Sequence, residues 1–457
     1  MARPAAIAAL HFLVCAAEAI ASDVTVFRDV TILPMTGDGP LAASQVVVQD
    51  DKIVRVSTSD AELPPDARVI EGSGKFLMPG LADMHVHYWS NNEGPLYLAN
   101  SVTTVRNMWG SSTSFVLDAR AKSGSDAAPH IYTPGPLMDG PEPIWGEGSI
   151  MLTAPAQAVG AVESQRTTGY RAVKLYEGLT PEIFKAAVQA AQQRDMQVFT
   201  HTPTGMTVDE VIALGVDSIE HFNNVEDAVF ASENDADGAS WFAKWAGADD
   251  EKMRALAKQS AEMGVAHVPT FAVIAKRYEY GADADAFFAR PEAGYVGPGV
   301  SGWWMGSASR MGAYDDEKQR AAESQRTFAR HLFEADAPLL IGTDTPNPFV
   351  LPGFAIHDEL AAFVEAGIPV EDVLRIATVE AAKFLREGDE WGVIREGARA
   401  DLVLLDADPH DDLSVLKSPI GVMVNGNWYA AADLAERLAA LHAEIAAESA
   451  SQSPATQ

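Results

Sequence analysis

The chain has 457 residues, 47% hydrophobic and 21% charged, with 33 Lys and Arg against 64 Asp and Glu and a formal net charge of −31. That apolar content excludes a disordered polypeptide, and the length suffices for one α/β barrel of about 250 residues with smaller units beside it. The acidic excess argues against nucleic acid or an anionic membrane surface as partner, because both demand basic patches.

Residues 1–21 read as a secretory signal peptide. Arg3 supplies the positive start, Ala5 to Ala17 form an apolar run too short to span a bilayer, and Ala19-Ile20-Ala21 is a small-x-small cleavage site. This predicts export to a periplasmic or extracellular location. Cys15 is the sole cysteine and leaves with the signal; lipid attachment there stays open, although Val14 before it is bulky. No later stretch holds about eighteen uncharged apolar residues, so no membrane span is expected. Any metal in the mature chain must be held by His, Asp, Glu or a modified Lys.

Short β-branched runs at 24–33, 45–48, 52–56 and 68–71 are split by Gly, Pro and Asp. A second set lies far downstream at 400–405, 421–424 and Trp428-Tyr429, with Asn425-Gly426 as a hairpin signal. Neither set suffices alone. The expectation is a small β-sandwich domain built from both ends of the chain, residues 22–78 and 393–430.

Between them, strands alternate with amphipathic helices. Candidate strands are 80–87, 102–108, 130–135, 172–177, 197–201, 218–221, 266–271 and 338–344, with helices at 181–194, 251–264 and 369–387 among others. Strands and crossovers in this number fit a closed (β/α)8 TIM barrel over 79–392, and the absence of an early G-x-G-x-x-G speaks against an open dinucleotide-binding sheet. Insertions at 225–250 (with Trp241 and Trp245) and 279–316 (with Trp303 and Trp304) are long enough for lids or subunit contacts. Residues 431–457 form a helix and a tail.

The chemistry centres on Asp83-Met84-His85-Val86-His87 at the end of the first barrel strand. Alternate strand residues face one side, so both imidazoles project together; alone, the pair reads equally as a metal site or as two partly buried polar residues. His201, His221 and Asp344 change that balance, since each also ends a candidate strand, on the face where barrel enzymes build their sites. Lys174 lies in the apolar strand Arg171-Ala172-Val173-Lys174-Leu175-Tyr176. Burial there favours the neutral amine, which can take up CO2 as a carbamate, form a Schiff base, or pair with Glu177 or Glu220.

With these motifs in view, the sequence resembles the metal-dependent amidohydrolase superfamily over roughly residues 23–430. The resemblance rests on Pro79-Gly80-Leu81-Ala82-Asp83-Met84-His85-Val86-His87, Val173-Lys174-Leu175-Tyr176, Thr200-His201, Glu220-His221, Gly342-Thr343-Asp344 and Gly397-Ala398-Arg399-Ala400-Asp401-Leu402-Val403. It is most similar to the binuclear-zinc branch: prolidase-like, Xaa-Arg/Lys dipeptidase-like and imidazolonepropionase-like enzymes. The resemblance implies two divalent metal ions, of the Zn2+ type. His85, His87 and Asp344 would hold one, His201 and His221 the second, and carboxylated Lys174 would bridge them. It further implies amide hydrolysis of a dipeptide or N-acyl amino acid by a metal-bridging hydroxide, with Asp344 as general base and then acid. Hydrolysis of a cyclic amide, lactone or phosphoester is the alternative, ahead of a mononuclear deaminase or a non-catalytic barrel. Self-association is left open.

Tyr88, Trp89, Tyr176, Asn223 and Asn224 follow ligand positions and are candidates for substrate contact. His130 is expected at the barrel bottom. His267 reads as a core or supporting histidine, His357 as packing, and His331 and His410 as surface residues.

Overall fold

The computed structural model describes residues 24–231, 238–308 and 314–452. The expected signal peptide with Cys15 lies outside them, as do residues 453–457.

Five strands come from the start of the chain: β1 (Val24–Ile32), β2 (Leu41–Gln49), β3 (Lys52–Thr58), β4 (Arg68–Glu71) and β5 (Phe76–Pro79). Parallel strands follow. β6 (Leu81–Val86), β7 (Val102–Asn107) and β8 (His130–Tyr132) form one sheet. β9 (Met138–Asp139), β10 (Ile150–Met151), β11 (Ala172–Leu175), β12 (Gln197–Thr200), β13 (Ser218–Glu220) and β14 (Ala266–Val268) form another, in the order β10-β9-β11-β12-β13-β14. β15 (Leu402–Leu405), β16 (Gly421–Val424) and β17 (Asn427–Ala430) close the series.

The strands from the two ends do meet, hydrogen-bonded into one eight-stranded sheet ordered β17-β16-β15-β5-β1-β2-β3, with β4 on β1. The reason lies in β1. Its first half pairs in parallel with β4 and its second half with β5, across an irregularity at Asp29, whose φ is 56°. One bent strand thus serves two neighbours. β5 then pairs antiparallel with β15, joining early chain to late. Phe27, Val30, Ile32, Val46, Leu77, Leu402, Leu404 and Met423 bury its apolar face. Asn425 and Gly426, at φ 52° and 73°, make the expected two-residue turn between β16 and β17.

Seven of the eight strands expected in the central region are present. All six residues of β6 and all four of β11 are buried, as parallel strands covered on both faces require. The eighth, 338–344, is not a regular strand, although it runs between β14 and β6. Leu340 N–H donates to His267 O (3.0 Å), Met84 N–H to Ile341 O (2.8 Å) and Asp344 N–H to His85 O (2.7 Å). Its ladder is broken because the Asp83 side chain takes the Thr343 N–H (2.9 Å) and hydroxyl (2.6 Å). Gly342 is required beside this break, since a Cβ there would lie 2.7 Å from that of His85. The other seam, between the continuation of β8 and β11, carries a bond from Gly135 N–H to Ala172 O at 3.1 Å. By strand pairing the central region is therefore two parallel sheets linked through single bonds, not one unbroken cylinder.

The helix Pro181–Gln192 starts at a Thr180 cap, and Asp250–Met263 runs from an Asp249 cap to Gly264. The helical run expected over 369–387 is split into Val370–Arg375, a π turn Ile376–Glu380 and Ala381–Phe384. There the Thr378 hydroxyl bonds back to Leu374 O (2.7 Å). The 225–250 insertion forms helices Val225–Val229 and Trp241–Ala246, with Trp245 fully buried near Phe222 and Phe328. In the 279–316 insertion Trp304 is fully buried and donates its indole N–H to Pro346 O (2.8 Å). His331, expected at the surface, is buried, with Nε2 2.7 Å from Asp250 Oδ1. No helix among the described residues is long and apolar enough to cross a membrane.

Candidate metal centre

His85, on β6, is buried, and His87 follows directly after the strand. Asp344 reaches both: its Oδ1 is 2.9 Å from His87 Nε2 and 3.5 Å from His85 Nε2. One ligand atom from each of these residues lies within 4.8 Å of the others. The rings of His85 and His221 are 4.4 Å apart, those of His221 and His201 4.9 Å. Residues from the ends of β6, β12 and β13 and from 344 thus converge. His221 and Asp344 sit at φ 61° and 56°, and Thr270 at 54°, so left-handed backbone clusters here.

The hydrogen-bond partners orient the imidazoles. His85 Nδ1–H donates to Glu220 (2.7 Å) and His201 Nδ1–H to Glu177 (3.2 Å). Thr270 gives its hydroxyl proton to Pro269 O, so its oxygen accepts from His221 Nδ1–H at 2.8 Å. In all three rings Nε2 is left with its lone pair, the tautomer that metal ligation needs. Burial, reinforced by Lys174 at His85 and His201, holds these two well below the ordinary imidazole range. Burial does the same at His221 against the pull of Asp344.

Lys174 on β11 is buried, and its Nζ has no hydrogen-bond partner among the described residues. Neither Glu177 nor Glu220, the partners considered for a salt bridge, bonds to it. Glu220 is taken by Arg106 (2.9 and 3.1 Å), the Ser218 hydroxyl (2.5 Å) and His85. Burial pulls the Lys174 ammonium down to about 8. Burial pushes the Glu220 carboxyl up, but Arg106 and Lys174 outweigh it and hold it below its usual range. Asp344 is likewise held low by His221 and His87 against its burial. His201 Nε2 and His87 Nδ1 are also buried without a partner, and Asp344 Oδ1 meets the His87 imidazole. Unpaired N and O donors converging in this way suit a borderline divalent cation, so the residues fit a metal.

The candidate substrate contacts divide. Tyr88 is buried in the core with its hydroxyl on Asn91 Oδ1 (3.1 Å), because strand alternation turns it away from the side His87 faces. Asn223 ties two loops together, its Oδ1 accepting the Thr202 N–H (2.7 Å). Trp89 is half exposed in a cavity with Tyr295, Trp304 and Leu441. Tyr176 stacks on His201 at 4.2 Å and accepts the Trp145 indole N–H (2.8 Å). His130 lies 3.5 Å from Asp401, His267 meets Ser260, His357 meets Asn100, and His410 meets Asp408.

Several residues at the site were not singled out from sequence: Arg106, Thr270, Arg277, Asn347, Trp109 and Trp145. Arg106 was findable, being a charge inside an apolar strand just as Lys174 is. The others sit on loops or irregular helices, whose periodicity carries no such signal.

A family model described as the amidohydrolase family matches residues 76–429. Ochratoxinase of Aspergillus niger is 23% identical over 459 residues, covering 85% of this chain and 83% of that one. Imidazolonepropionase of Caldanaerobacter subterraneus is 39% identical over 80 residues, only 17% of this chain and 19% of that protein. Among solved structures, a bottromycin amidohydrolase superposes with a TM-score of 0.74 at 23% identity, over 92% of this chain and 90% of that one. A protein described as a prolidase from Bifidobacterium longum gives 0.66 at 24%, over 92% and 99%. Likeness at these identities establishes the fold.

Proposed function

The chain belongs to the amidohydrolase family and is a metal-dependent amidohydrolase, and from that premise we propose a two-metal enzyme that hydrolyses the amide bond of a dipeptide or an N-acyl amino acid. The observation that carries this reading is the pair of unpaired buried atoms, Lys174 Nζ and His201 Nε2, beside the cluster of His85, His87 and Asp344. In this reading the two parallel sheets are one eight-stranded barrel closed through 338–345. It occupies 79–392 and is flanked by 22–78 and 393–430, in a chain exported after residue 21. His85, His87 and Asp344 would hold one metal and His201 and His221 the other, with Lys174, if carboxylated, as a further ligand; nitrogen and carboxylate donors without thiolate suit Zn2+.

The metals, when bound, polarise the scissile carbonyl and bring the pKa of water toward neutrality. The rest falls to the chain. Asp344 is kept ionised, with Oδ2 fixed by Asn347 Nδ2 (2.7 Å), and Oδ1, on the side of His85 and His87, is the oxygen that takes the proton of the attacking water. The same oxygen then returns it to the leaving amine. Glu220, Glu177 and Thr270 hold three imidazoles in the required tautomer throughout.

The test is metal content together with turnover. Zinc-loaded protein is expected to hold about two zinc per chain and to cleave members of a dipeptide and N-acyl amino acid library. Asp344→Asn should lower kcat by about 10²- to 10⁴-fold with most metal retained, whereas Lys174→Ala should lose metal and activity, with partial rescue by short carboxylic acids. Near-normal turnover in Asp344→Asn removes that residue from its role. Turnover confined to cyclic amides, lactones or phosphoesters moves the substrate to the second reading, which the local match to imidazolonepropionase favours.

A further inference from the structure

Arg277 lies on the helix Phe271–Tyr280, whose start is fixed to the site. Thr270 bonds His221, and the Phe271 and Ala272 amides donate to Glu359 at 3.0 and 2.8 Å. The guanidinium forms no ion pair among the described residues. Nη2 donates to Asn347 Oδ1 (2.6 Å), while Nε is buried without a partner. Asn347 in turn donates to Asp344 Oδ2 (2.7 Å) and Asp344 O (2.9 Å). Apart from Lys174 at the metal centre, sequestered cations such as these behave differently: Arg106 is neutralised by Glu220, Arg399 by Asp401, and Lys276 on the same helix by Glu279 and Asp358. A partly buried guanidinium with unspent donors beside the group that protonates the leaving amine is a site for an anion.

The other side of the site is apolar. Tyr176 stacks on His201, Trp145 bonds Tyr176, and Trp109 lies 5.7 Å from Trp145 and 6.2 Å from His87. These residues follow β7, β9 and β11, whereas Arg277 follows β14 and Asp344 the segment after it, so by strand order the aromatic side and the cation face one another.

We propose that Arg277 binds the α-carboxylate of the substrate's leaving amino acid, with the acyl group against Trp109, Trp145 and Tyr176. The substrates are then N-acyl or N-aminoacyl amino acids with a free C-terminus and a bulky apolar acyl side. The geometry favours the leaving side because an α-carboxylate is one carbon from the nitrogen that Asp344 protonates, and one side chain, Asn347, separates Asp344 from Arg277. This rests on the amide-hydrolase reading above.

The experiment compares zinc-loaded wild type, Arg277→Met and Arg277→Lys on N-benzoyl derivatives of glycine, leucine, phenylalanine and lysine and on their C-terminal amides. The corresponding N-benzyl amino acids, which have no carbonyl to attack, serve as binding probes in calorimetry. The free acids should exceed their amides in kcat/KM by at least about tenfold in wild type. Arg277→Met should raise KM for the acids by about tenfold or more beyond any change it causes for the amides, so that the acid-over-amide preference is lost, and Arg277→Lys should fall between. The N-benzyl acids should lose affinity to the same extent. Equal turnover of acids and amides, or equal loss of both in Arg277→Met, reduces Arg277 to a positioning residue for Asp344 and overturns the proposal. So does failure of wild type to bind any N-benzyl acid, or binding indifferent to Arg277. Arginine-dependent binding without turnover of any benzoyl compound supports the subsite and counts against the amide-hydrolase reading instead.

Discussion

Arg106 shows how much of this site is settled by side chains that never touch a substrate. Its Nε donates to Met84 O (2.5 Å) and its two terminal nitrogens to Glu220 and Ser218, while its plane lies over Phe199 at 4.4 Å. Glu220 in turn fixes His85. Arg106→Met should leave a buried carboxylate without its cation and cost roughly 3–5 kcal/mol, because losing one partner of a buried pair exposes the other's desolvation. Urea unfolding of metal-free protein measures this, and the double variant with Glu220→Leu should recover part of the loss; a cost below about 1 kcal/mol would mean Glu220 is neutral without Arg106. At this scale the cluster of His85, His87 and Asp344 was legible in the sequence, because the two histidines close a strand and Asp344 closes a run of strand-like composition. Their supports were less so, because a Glu beside a His in sequence does not reveal whether it will bond that His. Glu220 precedes His221 yet serves His85.

Elements were legible where one period dominates and illegible where a side chain intervenes. Asn425-Gly426 announced its hairpin, and Pro181–Gln192 and Asp250–Met263 fall within two residues of expectation. The segment at 338–344 has the composition of a strand, but Asp83 captures its hydrogen bonds, a contact across some 260 residues that no local pattern encodes. The branching of β1 was equally hidden, because the bend at Asp29 lets one strand serve two neighbours. The β16–β17 turn gives an element-scale prediction. A Cβ on Gly426 would lie 1.8 Å from Asp50 O, and its φ is 73°, so Gly426→Ala should cost about 1–3 kcal/mol in thermal or urea unfolding while zinc content stays unchanged. Loss of zinc at native stability would instead place the turn in the site's architecture.

For the whole molecule, acidity outside and buried acids inside act together. Burial raises Glu359 to about 8, with Asp83 and Asp358 adding to it against its two backbone bonds, and raises Glu93 also to about 8. An acid whose folded pKa is raised stabilises fully below its unfolded value and loses that contribution as pH climbs through the folded one. Between about pH 4.5 and 8 the unfolded chain therefore binds fewer protons, and stability falls by up to about 1.4 kcal/mol per pH unit per such group. The midpoint of thermal unfolding should decline across that window and level off above it, and Glu359→Gln should flatten the slope; an unchanged slope would clear Glu359. Asp401 works in the opposite sense: burial is outweighed by Arg399 and His130, which hold its carboxyl low, so its contribution survives until strongly acidic pH. Charge and length bear on partners and size, but such buried acids emerge only from packing. One further consequence belongs to β5, which runs through Gly80 directly into β6 and takes its second neighbour, β15, from residues 402–405. The histidines at 85 and 87 leave the ribosome early, yet the edge beneath them stays open until residues 402–405 have been made. A nascent polypeptide halted before that point should be unable to retain metal, however many of the proposed ligands have already been synthesised.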